Sequence, residues 1–325
     1  FGAWYGPYPY PLLTVADVPE SAGAGMEYPT LVTVSSALPL PGLLLEEQVT
    51  IHEIAHQWFY GMLASNEFEE AWLDEGFATY STRKLAEGLY GKESSMGSLA
   101  GVGLGELGLS RGQYLAIAEL DPMVKNSWEF HSPASYQGNV YAKGDLVLAT
   151  LEGYLGEEMM GRVMREYFRR FAFKHPTSRD FVETVRQLSG RDFGRFFDQA
   201  LYSTAVFDYS VEPLETQWRD GQYSSTVTAR RMEEGVMPVE VVTTFQDGHQ
   251  EREMWDGEAG WRRFEYYYRS PAVKAEVDPE HKLLLDVRWA NNSYLAQPDP
   301  APLQQRAADL LWLFQSALKL LAQFL

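Results

Sequence analysis

The chain contains no cysteine in its 325 residues. Disulfides, thiolate metal sites and cysteine nucleophiles are therefore excluded, and the redox compartment stays undecided. Positive charge is scarce as well. Lys and Arg number 27 against 45 Asp and Glu, a formal net charge of −18. Nucleic-acid binding needs a basic footprint, which this balance does not supply. An acidic surface keeps a protein soluble and also suits cationic peptides. Histidine is rare, six in all, so a pattern among the six carries weight. An initiator Met and a leader are missing too. The chain opens at Phe1 and reads as a mature or excised segment, cytoplasmic or secreted.

What is present suffices for two domains of ordinary size, with hydrophobic residues at 45%, the range of soluble globular proteins. Residues 1–43 are rich in Pro, Gly and Tyr, with strand-like runs at Leu12–Val18 and Thr30–Ser36. Helical patterns cover Leu43–Tyr60, with Gly61 as C-cap, and Trp72–Leu89, stopping at Gly91. Residues 91–112 read as a long loop or a broken helix. Helices return at Val140–Tyr154, Glu157–Phe171, Ser178–Leu188 and Arg191–Tyr202. Near Val206 the character changes to short β-rich runs: Tyr223–Ala229, Val239–Thr244, Trp261–Tyr268 and Leu283–Val287. Turns at Asp247-Gly248 and Asp256-Gly257 complete the pattern of an antiparallel β-sandwich. A stiff Pro-rich linker follows at 297–302, and then one helix, Leu303–Leu325.

In that last helix Asp309, Gln315, Ser316, Lys319 and Gln323 form a narrow polar stripe, and nearly everything else is apolar. It must bury most of its circumference. Lys319 argues against a membrane span, leaving intramolecular docking first, then self-association or interfacial membrane binding.

The chemistry concentrates in His52-Glu53-Ile54-Ala55-His56, followed after eighteen residues by Glu75. Histidines four apart on a helix share one face, so both reach a single ion. Zinc takes three such ligands at about 2.0–2.2 Å and keeps a fourth position for water, whereas structural zinc sites close with four protein ligands. Glu53 points roughly 100° off that stripe, placed to take a proton rather than to bind the metal. Asp74, beside Glu75, either orients a histidine or faces solvent. The string Gly103-Leu104-Gly105-Glu106-Leu107-Gly108 fits a dinucleotide fingerprint, but with no strand before it and no βαβ unit around it, nucleotide binding is not expected. Asn291-Asn292-Ser293 matches a glycosylation acceptor by accident. His131, His175, His249 and His281 lack ligand spacing.

His52–Phe59 together with Trp72–Ala78 resembles the gluzincin aminopeptidases, the group containing aminopeptidase N and leukotriene hydrolase. Gly25-Met26-Glu27 resembles the group's exopeptidase signature, and Tyr141-Ala142-Lys143-Gly144 its Tyr-x-Lys-Gly element. Phe1–Pro19, Val277–Glu280 and Asn291-Asn292 resemble flanking segments in the same order. The resemblance spans roughly residues 1–292. It implies an α+β fold, a thermolysin-like catalytic domain at 1–205 and an antiparallel β-sandwich at 206–296, followed by the linker and C-terminal helix read from composition at 297–325. It implies one Zn²⁺ held by His52, His56 and Glu75, with Glu53 as general base and Tyr141 stabilising the oxyanion. Glu27 would bind the substrate's α-amine, Gly25 and Met26 would pair with the peptide backbone, and Tyr136 is a second tyrosine near the substrate. The implied activity is removal of N-terminal residues from peptides. Departures bear on that activity. Ala24 and Tyr28 stand where the signature has Gly and Asn, and the group's N-terminal β-domain and large C-terminal helical domain have no counterpart here. An endopeptidase, a hydrolase of a non-peptide substrate such as an epoxide, and a scaffold without turnover remain as alternatives.

Overall fold

The computed structural model describes residues 1–19, 24–35, 42–99 and 101–297. The C-terminal helix expected at 303–325, and most of the linker before it, lie outside these. The first sheet has three strands, β1 (Thr14–Asp17), β2 (Gly25–Met26) and β3 (Leu31–Val34), in the order β1-β3-β2. β1 runs parallel to β3 and β2 antiparallel to it. Val32 and Val34, alternate residues of β3, are buried, and the strand lies against α1 (Leu45–Ala55). α1 packs in turn on α2 (Trp72–Tyr90).

α1 is shorter than its sequence predicts. It ends at Ala55, and His56 is its C-cap in right-handed helical geometry. Ala55, His56, Gln57, Trp58 and Phe59 are all buried, a consecutive run that one face of a continuous helix would not gather. Instead Tyr60 takes φ +92° and the chain folds back, with Tyr60 N–H donating to Leu63 O at 3.1 Å. Gly61 is therefore not a helix cap.

Residues 91–112 form a one-turn helix and a two-residue hairpin, β4 (Ser98–Leu99) with β5 (Val102–Gly103), before α3 (Glu106–Leu115). A short strand does lead into the Gly103–Gly108 string, contrary to expectation, but it is antiparallel and two residues long. After α4 (Pro133–Gln137) the backbone opens into a π-helix, Gly138–Lys143, which runs directly into α5 (Gly144–Leu155). Three helices complete this region: α6 (Glu157–Phe171), α7 (Ser178–Ser189) and α8 (Gly194–Tyr202).

Two antiparallel sheets follow. One contains β6 (Tyr209–Val211), β7 (Glu215–Arg219), β8 (Gln222–Arg231) and β11 (Trp261–Tyr268); the other contains β9 (Val239–Phe245), β10 (Gln250–Trp255), β12 (Ala272–Val277) and β13 (Ser293–Leu295). They meet through β6, β8 and β12, burying Val227, Ala229, Ala275 and Val277. The strand expected at Leu283–Val287 is absent. Leu283, Leu284 and Leu285 are buried, but in a turn whose backbone polar groups are met by side chains: the Asp278 carboxylate accepts from Lys282 and Leu283 N–H at 3.0 and 2.8 Å. The fold is thus α+β, a helical unit with a small mixed sheet followed by paired antiparallel sheets. Among the described residues no helix is long and apolar enough to cross a membrane.

Candidate metal centre

α1 and the start of α2 bring three donors together. His52 Nε2 and His56 Nε2 are 3.0 Å apart, and Glu75 Oε2 lies 3.2 and 3.3 Å from them. A tetrahedron around zinc at 2.0–2.1 Å has edges of about 3.3 Å. The triangle therefore fits one zinc ion with a fourth corner open. Two imidazole nitrogens and a carboxylate at this spacing are acceptors with nothing between them unless a cation binds.

Asp74 decides the tautomer. It is 1% exposed, and its Oδ1 lies 2.5 Å from His56 Nδ1. Placing the ring proton on Nδ1 leaves the Nε2 lone pair for metal, as in other carboxylate–histidine–metal relays. Of the two roles open to Asp74 from sequence, histidine orientation is the one realised.

Glu53 is 6% exposed, its Oε2 has no partner among the described residues, and it makes no contact to the donor triangle that would commit it as a ligand. Burial, with Glu27, Glu75 and Asp74 adding to it and His56 opposing, pushes its pKa up to about 7. A divalent cation beside it would pull that value back down. Tyr141 donates its hydroxyl to Glu75 Oε1 and stacks on His52 with ring centroids 5.9 Å apart. Burial, then the Glu75 charge, raises its pKa far above the ordinary phenol value, so the group stays a neutral donor. Tyr136 meets Tyr141 edge-on at 6.3 Å, and burial pushes it up to about 12.

The approach of Tyr141 to Glu75 depends on two glycines. A β-carbon on Gly144 would lie 2.7 Å from Gly76 Cα, and one on Gly76 would lie 3.1 Å from Val140 O. Only without those carbons can α2 and the π-helix touch backbone to backbone. Lys143 follows Tyr141 by two residues, and its buried Nζ has no partner among the described residues and is lowered to about 8 by burial.

The segment holding Gly25, Met26 and Glu27 hangs on Gln57, the residue after the second histidine. Gln57 Oε1 accepts from Thr30 N–H at 2.8 Å, and its Nε2 donates to Glu27 O and Tyr28 O at 3.3 Å each. β2 is an edge strand, with Gly25 packed on the Glu53 carboxylate. One carboxylate oxygen each from Glu27, Glu67 and Asp74 lie within 4.8 Å of one another. All nine residues singled out from sequence therefore converge on one site. Gln57, Glu67 and the Gly76–Gly144 contact were missed. Only Gln57 carried a signal, its place directly after the histidine pair.

The fold and donor triangle define a mononuclear metal centre of the His-Glu-x-x-His type. Residues 3–200 match the peptidase family M1 domain, and the chain belongs to that family. It is 32% identical over 178 residues to leukotriene A-4 hydrolase from Xenopus laevis, covering 54% of this chain and 29% of that protein. It is 26% identical over 233 residues to aminopeptidase N from Streptomyces lividans, covering 67% and 26%. In fold it matches Legionella pneumophila aminopeptidase A, solved with aspartic acid, at a TM-score of 0.60 and 15% identity over 84% of this chain and 31% of that one. The chain thus spans less than a third of the length of these curated relatives.

Proposed function

We propose that this chain is a zinc-dependent aminopeptidase that removes N-terminal residues from peptides, with residues 1–205 as its catalytic unit, 206–296 as an appended β-sandwich and 297–325 as a linker with a terminal helix. The observation that carries the reading is the 3.0–3.3 Å donor triangle of His52, His56 and Glu75 beside an uncommitted, buried Glu53. Bound there, zinc supplies a Lewis acid that lowers the pKa of water from 15.7 to about 7. Glu53 takes the proton of the attacking water and returns it to the leaving amine. As negative charge develops on the former carbonyl oxygen, Tyr141 O–H donates to it. The free edge of β2 offers Gly25 and Met26 backbone groups to an extended peptide, as strand addition requires, and Glu27 beside it receives the α-ammonium.

Glu53→Gln is expected to keep stoichiometric zinc and lose about 10²–10⁴-fold in hydrolysis, while His52→Ala loses the metal too. Metal quantitation alongside digestion of a mixed peptide pool, with products read by mass, checks both points. Stepwise loss from amino termini supports the reading. Internal cleavage, or a Glu53→Gln protein with parental activity, overturns it.

A further inference from the structure

Strand β11 is eight residues long and forms one edge of its sheet; among the described residues it pairs with β8 alone. The pairing runs from Trp261 opposite Arg230 to Tyr268 opposite Tyr223 without a shift in register. Such an edge leaves a row of backbone N–H and C=O groups open to another strand, and proteins commonly blunt it with proline, a bulge or short length. β11 has no proline and no bulge, and it is longer than the mean strand of about 5–6 residues. Arg262, the charge on its core-facing side, is tied to Met254 O at 2.9 Å and does not guard the edge.

The side chains of β11 sort by face. Arg262, Phe264 and Tyr266 lie opposite Ala229, Val227 and Ser225 of β8, all three buried, so they take the core side. Trp261, Arg263, Glu265 and Tyr267 take the outer side, with Trp261 53% and Tyr267 63% exposed. Arg263 and Glu265 form no ion pair among the described residues. This outer row is its own complement when reversed: aromatic, positive, negative, aromatic. Set antiparallel to a second copy with Phe264 opposite Phe264, it places Trp261 opposite Tyr267 and Arg263 opposite Glu265, each twice by the two-fold symmetry. Opposite side chains then have β-carbons about 4.5–5.5 Å apart, within reach for cross-strand aromatic and ion pairs. A slide of one residue sets outer side chains against core-facing ones. A slide of two sets Arg263 against Arg263 or Glu265 against Glu265, and wider slides shorten the paired segment.

We propose that the free edge of β11 is a homodimer interface, joining two copies of this chain into one continuous sheet about a two-fold axis at Phe264. Two aromatics per copy bury at most about 300–500 Å², below the roughly 800 Å² per partner of a standard interface, so a reversible dimer of micromolar affinity is expected. Sedimentation velocity of the full chain over about 1–100 μM brackets that affinity. The salt is about 0.15 M, so that the charge of −18 on each copy is screened beyond about 8 Å. The parent is expected to pass from monomer to dimer across this range. Arg263→Glu and Glu265→Arg each put like charges opposite one another at two places, and each is expected to raise the dissociation constant about 10-fold or more, with circular dichroism unchanged. Mixed in equal amounts, the two variants regain opposite charges at both places and are expected to dimerise as the parent does, which misfolded chains cannot do. Hydrogen exchange on the parent needs no substitution: the β11 amides that point away from β8 are expected to gain protection as the dimer forms. A parent still monomeric at about 100 μM, or a dimer without that protection, overturns the proposal. Either single variant dimerising at parental strength also overturns it and assigns self-association to another surface, such as residues 303–325. A mixture that stays monomeric overturns the register and the interface with it.

Discussion

At position 25 a β-carbon would sit 2.2 Å from Glu53 Oε1 and 2.6 Å from its Cδ, closer than atoms pack. Gly25 is glycine because the Glu53 carboxylate occupies the space a side chain needs. Gly25→Ala is expected to displace the Glu53 carboxylate while leaving His52, His56 and Glu75 alone. A 1 Å misplacement of a reacting group costs about 10²-fold. Steady-state kinetics should therefore show kcat down by that order, with zinc stoichiometry unchanged; loss of zinc, or parental kcat, would contradict the contact. The donors themselves were legible in the sequence because a four-residue step on a helix fixes a distance. Asp74 was not. Its neighbour Glu75 faces the metal, and no local rule says on which side of the helix start Asp74 finds a partner. Glu67 was beyond reach altogether, since nothing but the tertiary fold ties residue 67 to residue 27.

Between elements, the decisive contact is Gly76 against Gly144, where α2 meets the start of α5 just after the π-helix. The obstacle to a side chain at Gly144 is the Gly76 backbone, which cannot swing aside as a side chain would. Gly144→Ala should cost about 1–3 kcal/mol through overpacking and lift Tyr141 away from Glu75, lowering kcat more than it raises KM. Gly88, in the same α2 with nothing within 4 Å of its missing β-carbon, provides the contrast: Gly88→Ala should stabilise by about 0.5–1 kcal/mol and leave kinetics untouched. Denaturant melts of the two variants check both signs. Element type was readable where periodicity is strong, as in α6 or β11. It failed where burial is irregular. Ala55–Phe59 buries five consecutive residues, which no single helix face gathers, and Leu283–Leu285 is apolar like a strand but has its backbone satisfied by Asp278 and by Arg111. The edge strand β10 alternates too weakly to announce itself.

For the molecule as a whole, stability turns on how helices and sheets are joined. One continuous apolar core runs from Tyr5 through Phe181 to Val227 and Leu285. Across it Arg111 Nη1 donates to Leu284 O at 2.5 Å and Asp286 O at 2.7 Å, its guanidinium lies 3.5 Å from the Trp289 ring centre, and Tyr114 O–H donates to Leu285 O at 3.2 Å. The partners are more than 170 residues apart in sequence, so no motif could have announced the joint. A shared core predicts that 1–297 melts in one transition, with the calorimetric and van't Hoff enthalpies equal. Arg111→Ala leaves two buried carbonyls without donors and strips the Trp289 face. Hydrogen bonds from charged groups contribute about 1.5–3 kcal/mol each, so a loss of about 3 kcal/mol is expected, still in one transition. Arg111→Lys should recover only part of it, because an ammonium can donate to the carbonyls but does not stack flat on an indole. Two separate melting transitions in the parent protein, with only one of them moved by Arg111→Ala, would mean that the sheets are an independent appendage and that the catalytic unit holds its metal geometry without them.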